Sequence, residues 1–524
     1  MSQEQGSTAL NRGPRRASLL DRLFAALALA ISGLHFASFD PFDSPVMGDV
    51  RYFLYFAWQI TEGATPYLDL FDPKMPLASF AGAFLWALGE RLGLDPIHAV
   101  RIGYLGLAAT GGLLAFLVFR AVGGGRPVAG FLGLAAYLSF GLLGDVPALG
   151  NMPKLLMALA VSATALLCLH RRWLAAGVTG AIAFLDWQIG ALAWLGAFAA
   201  ALLYGQPGHR AALRTVVGGA LGVAPCIAFF VTRGALGVAF EQTVVSAFFR
   251  GVTSSAERSF GEHLTHVARA LERTMDAQSW LCLAAIGGAG VVLTWLWRRR
   301  AQNSARLLVP LCLYHFGFLL FCLVDFQFLG DAFAALHSLA FFVGALWVAL
   351  YLRAEAWATR RWPARAGAAT AAVALVVAFA VARPGPMRPQ ANWNARGVSL
   401  SQQREVAVQL EELLAGRELA VVEVSEMLLL TRRENPLPFI YWNAASWSTY
   451  RRSETEGPRD SLRRLLDATE ADARILQPGP GMPIPRRYRL YGLSGADAPG
   501  PEWTPVELRS SNGRYRVVVH VRGD

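Results

Sequence analysis

The chain has 524 residues, of which 54% are hydrophobic and only 16% charged, where soluble proteins carry roughly 25% charged residues. An ordinary water-soluble protein is excluded. The net charge of +11 would suggest nucleic acid as a partner for a soluble chain, but the arginines sit in short loops between apolar segments, so they mark topology and no nucleic-acid partner is expected.

Taken in chain order, Arg12, Arg15 and Arg16 precede an apolar stretch with no small-residue cleavage site after Phe36, which reads as an uncleaved first helix. Crossing a hydrocarbon layer of about 30 Å takes roughly 20 helical residues, and the apolar runs predict eleven spans: 19–38, 99–119, 127–143, 153–169, 173–187, 189–205, 211–232, 279–297, 307–324, 332–352 and 366–383. The basic clusters Arg12 to Arg22, Arg120 with Arg126, Arg171 with Arg172, Arg210 with Arg214, Arg298 to Arg306 and Arg353 to Arg365 are assigned to the cytoplasm. That assignment leaves Met75 to Leu88 with no crossing to make, so it is expected as a juxtamembrane helix at the outer interface. A first outer loop then runs over 39–98 and a second over 233–278. The five cysteines (Cys168, Cys226, Cys282, Cys312, Cys322) lie in apolar runs without metal-ligand spacing and read as buried thiols.

The expected organisation is a transmembrane domain over 1–383, a linker over 384–398 with Pro384, Pro386 and Pro389, and a small extracytoplasmic α/β domain over 399–524. In that domain Gln403 to Leu414 and Ser461 to Asp467 suit helices, and Glu418 to Val424 and Arg514 to Val521 suit strands.

With this topology Asp40, Asp43, Asp49, Glu62, Asp69, Asp72, Glu90, Asp95, Asp145, Asp186, Asp325 and Asp331 all fall on the outer side. Carboxylates beside a bilayer are costly unless they face a polar cavity, so the asymmetry points to a cleft there; a solvated surface accounts equally for any single one of them. The densest segment is Met47-Gly48-Asp49-Val50-Arg51-Tyr52, followed by Glu62-Gly63-Ala64-Thr65-Pro66-Tyr67-Leu68-Asp69-Leu70-Phe71-Asp72-Pro73-Lys74-Met75-Pro76. Gly63, Pro66, Pro73 and Pro76 bracket a short helix over Val50 to Thr61 and a turn-rich loop. Asp49 falls at the helix N-terminus, where a capping role is the plain alternative to chemistry.

An Asp, a Tyr three residues on, a G-x-x-x-Y-x-D stretch and Lys-x-Pro entering an apolar helix resemble the first outer loop of the GT-C glycosyltransferases. Within that superfamily the likeness is to the members akin to protein O-mannosyltransferases (glycosyltransferase family 39-like) and lipid A aminoarabinose transferases. His98-Ala99-Val100-Arg101, Leu149-Gly150-Asn151-Met152, Pro225 and Arg233-Gly234-Ala235-Leu236 extend it over about residues 19–380, in family order. The resemblance implies a GT-C-like α-helical polytopic protein of a bacterial inner membrane, with a soluble domain at its C-terminus. It further implies inverting transfer of a sugar from a polyprenyl-phosphate donor to a glycan, lipid or protein acceptor. Asp49 matches the first-loop acid and would act as general base. Lys74, with Arg51, Arg101 and His337 behind it, would stabilise the departing lipid phosphate; His337 alternatively reads as a helix-packing residue. Tyr52, Tyr67, Asp69, Asp72, Asp145, Asn151 and Lys154 would line the sugar and acceptor cleft.

Two positions depart from the pattern. Relatives often read Asn-x-Glu where this chain has Asn151-Met152-Pro153-Lys154, and often have Lys near Asp186-Trp187-Gln188, which suggests a compensating exchange of charge between Lys154 and Asp186. No cofactor is firmly implied. A divalent cation, Mg or Mn, on Asp49 and Asp145 stays open because some GT-C enzymes use one. A transporter or flippase of lipid-linked sugars, or an O-antigen polymerase or ligase using Arg250, Arg258, Arg269 and Arg273, are the competing readings.

Overall fold

The computed structural model describes residues 18–150, 152–246, parts of 261–269, 314–323, 329–361, 366–382, 398–422, 424–440, 450, 452, 457–469, 471–475 and 502–523. The expected span 279–297, residues 307–313 and 324 of the next span, nearly all of the linker, Asn151, Asp325, Arg250, Arg258, Arg273, Cys282 and Cys312 lie outside these described residues.

In chain order the helices are α1 (Leu19–Ala37), α2 (Asp49–Thr61), α3 (Leu77–Arg91), α4 (Pro96–Val122), α5 (Pro127–Leu138), α6 (Leu142–Leu149), α7 (Leu155–Leu169), α8 (Trp173–Asp186), α9 (Ala191–Tyr204), α10 (Gly208–Thr232), α11 (Leu236–Phe240), α12 (Leu329–Arg361), α13 (Ala366–Ala382), α14 (Leu400–Leu414), α15 (Ser425–Thr431) and α16 (Pro458–Asp467). Among the described residues α1, α4, α10 and α12 are long and apolar enough to cross a membrane. The pair α5 and α6, bent by 60°, makes a fifth if it counts as one span, and α7, α8 and α9 are apolar but shorter. Leu213, Val216, Val217, Leu221, Ile227 and Val231 stay exposed along α10. That is the surface a lipid-facing helix presents, since lipid tails solvate apolar side chains as well as a protein core does.

Ion pairs fix the sides. Asp21, in the first turn of α1, pairs with Arg120, in the last turn of α4, so α1 leaves one side and α4 returns to it. The segment between them, with α2 and α3, therefore makes no net crossing if α1 and α4 are both spans. At 15 residues, α3 is as long as α7 and one residue longer than α8 and α9. Arg126 before α5 pairs with Glu355 of α12 at 3.0 Å on the Asp21 side. Backbones meet closely where side chains are small: a Cβ on Gly177 of α8 would lie 2.1 Å from the Thr215 carbonyl of α10.

The C-terminal region carries four strands, β1 (Leu419–Val421), β2 (Ala473–Ile475), β3 (Trp503–Arg509) and β4 (Arg516–Arg522), in the order β1-β2-β4-β3. Leu419 pairs with Ala473 in parallel, while Val506 pairs with Val519 in the antiparallel β3–β4 hairpin. Alternation buries Val517, Val519 and Val521 against α14 and α15. The sequence pattern did not mark β3: Pro505 argues against a central strand, and the structure places it on the sheet edge, where proline is tolerated.

Candidate active site

Helix α2 opens at Gly48, whose φ of +58° and ψ of −147° suit glycine rather than an L side chain. Gly48 takes the cap position without a side-chain bond, so Asp49 is not the cap; it stands in the first turn with its carboxylate turned toward the loop that follows α2. There Lys74 Nζ donates to Asp49 Oδ2 at 3.2 Å and lies 4.8 Å from the Phe53 ring centre. The two side chains are 28% and 41% exposed. A pair this open holds weakly and exchanges partners readily.

The loop bearing Lys74 is braced from several directions. Tyr67 holds a left-handed backbone (φ +69°), strain that a surrounding structure must enforce, and its hydroxyl donates to the Lys74 carbonyl at 2.8 Å. Asp72 Oδ1 accepts from the Lys74 N–H at 3.0 Å, and burial pushes the Asp72 carboxyl up to about 7, with Lys74 opposing and Asp49 adding to the rise. Gln242 accepts from the Asp72 N–H at 3.0 Å and donates to the Tyr67 carbonyl at 2.9 Å. Gln188 donates to the carbonyls of Pro73 and Thr243 at 3.0 and 3.1 Å. Neither glutamine was singled out as a site residue, because an amide that clasps backbone leaves no spacing signal. Asp69 accepts from the Thr65 N–H at 2.6 Å at the outer turn of the same loop.

Several expected site residues do other work. Arg101, 0% exposed, donates to the carbonyls of Leu149, Pro41 and Pro45 at 2.9, 3.1 and 3.2 Å. All three guanidinium nitrogens thus pin α6 and the start of the first loop to α4. His337 is buried between α7 and α12, with Nε2 3.3 Å from Ser162 Oγ and its ring edge-on to Tyr137. Arg51 donates to the Tyr52 hydroxyl at 2.8 Å and pairs with Glu426 of α15 at 3.4 Å, which turns it toward the C-terminal domain.

Lys154 and Asp186 do meet, though by a different bond from the one expected. Asp186 Oδ2 accepts from the N–H groups of Lys154 and Met157 at 2.7 and 2.9 Å, while the ammonium pairs with Asp331 at 2.6 Å and sits 3.8 Å from the Trp187 ring centre. Among the described residues no group of three or more His, Cys, Asp or Glu side chains could hold a metal ion. Asp49 faces the Lys74 ammonium. A cavity of about 370 Å³ opens beyond the C-terminal end of α2, lined by Tyr55, Gln59, Glu62 and Asp69 from the first loop region and by Asn435 and Phe439 from the C-terminal domain.

A bundle of membrane-length helices, a braced acid–lysine pair on one side of it and four strands with short helices over that side make up a fold shared with solved membrane proteins. The structures that carry this likeness include ArnT, a lipid A aminoarabinose transferase from Cupriavidus metallidurans. In the apo state it superposes with a TM-score of 0.57 at 16% identity, over 95% of this chain and 97% of that one. Bound to undecaprenyl phosphate it gives 0.56 at 15%, over 96% and 98%. The oligosaccharyltransferase AglB from Archaeoglobus fulgidus, in complex with an inhibitory peptide and a dolichol-phosphate, gives 0.50 at 13%, over 87% of this chain and 70% of that one. No family model and no curated protein matches the chain.

Proposed function

We propose that this chain is an inverting glycosyltransferase that moves a sugar from a polyprenyl-phosphate donor to an acceptor on the extracytoplasmic face of a bacterial inner membrane. The observation that carries the reading is the Asp49–Lys74 pair at 3.2 Å, an acid and a cation on separately braced elements. Support for a lipid-linked donor comes from the fold shared with ArnT bound to undecaprenyl phosphate and AglB bound to dolichol-phosphate.

The chemistry follows from that pair. The donor phosphate draws Lys74 off Asp49 and is neutralised by it, which frees the carboxylate. Asp49 then takes the proton from an acceptor hydroxyl or amine as that atom attacks the anomeric carbon opposite the phosphate. The carbon–oxygen bond to phosphate breaks, its electrons stay on the phosphate, and Lys74 stabilises the added charge. One bond forms, one breaks, and the sugar inverts. Asp72, Tyr67 and Gln242 fix the backbone around Lys74, so little rearrangement is needed at the moment of transfer.

Asp49→Asn keeps size and hydrogen bonding but cannot accept the proton. Transfer from polyprenyl-phosphate sugars in membrane preparations should fall by about 10²- to 10⁴-fold, the range for a lost general base. Full retained transfer would sink the mechanism.

A further inference from the structure

The C-terminal domain does not merely sit near the first loop; it grips that loop on both sides of Asp49. Gln403 accepts from the Val46 N–H at 2.7 Å and donates to the Val46 carbonyl at 2.9 Å. Leu400 N–H donates to the Asp43 carbonyl at 3.0 Å, and Arg404 pairs with Asp95. Beyond Asp49, the Asn435 N–H donates to the Tyr55 hydroxyl at 2.9 Å and the Phe71 N–H to the Pro438 carbonyl at 3.1 Å. Arg432 pairs with Glu90 at 2.9 Å. The catalytic segment is therefore held in register by residues more than three hundred positions away.

One of these contacts differs in kind. Glu426 is 4% exposed on its side chain and Arg51 13%. The two meet at 3.4 Å, and the Tyr515 hydroxyl of the sheet hairpin donates to the other Glu426 oxygen at 3.0 Å. Arg51 is two residues from Asp49 and also donates to the Tyr52 hydroxyl. Burial pushes the Glu426 carboxyl up and Arg51 pulls it back, so the carboxylate and guanidinium depend on each other. Surface docking alone would be served by rim pairs such as Arg432 with Glu90; a buried pair adds directional restraint on the first turn of α2.

We infer that Glu426 is a positioning residue for the transfer reaction: through Arg51 the C-terminal domain sets the first turn of α2 so that Asp49 faces Lys74. This rests on the glycosyltransferase reading. It assigns the C-terminal domain a part in the chemical step, distinct from acceptor binding, and it removes Arg51 from the donor-phosphate contacts.

The test uses the full chain in nanodiscs and compares Glu426→Ala, Arg51→Ala and the double variant. Displacement of a reacting group by about 1 Å can slow a step by about 10²-fold, so each single variant should lower kcat by about 10- to 100-fold. The double variant should lose no more than either single one, because both act through one contact. Glu426→Gln, which keeps an oxygen for Arg51 and Tyr515, should recover most of the rate. Affinity for undecaprenyl phosphate, used as the probe, should stay within about threefold in Glu426→Ala and Arg51→Ala while Lys74→Ala weakens it about tenfold or more. If Glu426→Ala does not fold, Arg51→Ala alone, slowed in kcat at unchanged probe affinity, carries the comparison. Wild-type kcat in Glu426→Ala, additive losses in the double variant, or weakened probe binding in Arg51→Ala would each overturn the inference. Retained transfer in Asp49→Asn would instead bring down the mechanism itself; transfer lost in Asp49→Asn but unslowed in Glu426→Ala brings down only the positioning role.

Discussion

The Lys154–Asp331 pair is buried at the N-terminal ends of α7 and α12, and its disruption has a calculable consequence. Lys154 Nζ is 2.6 Å from Asp331 Oδ1, with the side chains 11% and 2% exposed. Replacing Lys154 with Met keeps length and apolar bulk but leaves Asp331 facing an apolar group, and removing one partner of a buried pair costs about 3–5 kcal/mol. The lost contact with the Trp187 ring at 3.8 Å pushes the effect toward the upper end of that range, since such contacts contribute about 0.5–2 kcal/mol. About 4 kcal/mol is close to a thousandfold in the folded-to-unfolded ratio. Equilibrium unfolding in mixed dodecylmaltoside–SDS micelles, followed by tryptophan fluorescence, would measure it. The double change Lys154→Met with Asp331→Leu replaces the whole pair by apolar groups and should regain most of the loss. A single variant within about 1 kcal/mol of wild type, or a double variant no better than the single, would refute the reasoning.

Asp72 gives a pH dependence. Burial raises its carboxyl from 3.8 to about 7, so the folded state binds the proton more tightly than the unfolded chain does. The contribution is fully present below about pH 4 and is lost as pH rises through 7, amounting to at most about 4 kcal/mol. Asp72→Asn should flatten the stability profile between pH 4 and 7, read by thermal unfolding across that range; an unchanged slope contradicts the assignment. For Arg101→Ala, three carbonyls lose a charged donor at once, on the order of 4 kcal/mol in total. Arg101→Lys should rescue little, because an ammonium cannot reproduce the fork. Both should reduce the folded fraction in fluorescence-detected gel filtration; an Arg101→Ala protein that folds normally and shows only a raised donor KM would make Arg101 a phosphate contact after all.

What the sequence disclosed was local. The apolar runs and the Gly63, Pro66, Pro73 and Pro76 breaks marked α2 and the Lys74 loop because they depend on neighbouring residues, and the observed helix Asp49–Thr61 differs from the expected one by a single residue at its start. Asp49 and Lys74 are 25 residues apart, so only a family resemblance brought them into one site, and their ion pair was not expected. The bonds of Arg101 were not legible because its partners are backbone carbonyls 48 to 60 residues away, and carbonyls carry no sequence mark. The ammonium of Lys154 finds Asp331, 177 residues on, while the nearer candidate Asp186 is occupied with backbone at the start of α7. Glu426 was invisible for the same reason: a buried carboxylate in a short helix of seven residues acquires meaning only when the fold brings Arg51 to it.

The account stands most directly on where a lipid phosphate binds. A cryo-EM structure of the full chain in nanodiscs with undecaprenyl phosphate should show the phosphate within hydrogen-bonding distance of Lys74 Nζ, with the Asp49 carboxylate released from the lysine and open to the aqueous cleft, and with Arg51 still on Glu426. Phosphate density away from Lys74, or Asp49 and Lys74 still paired with the lipid bound, would contradict it.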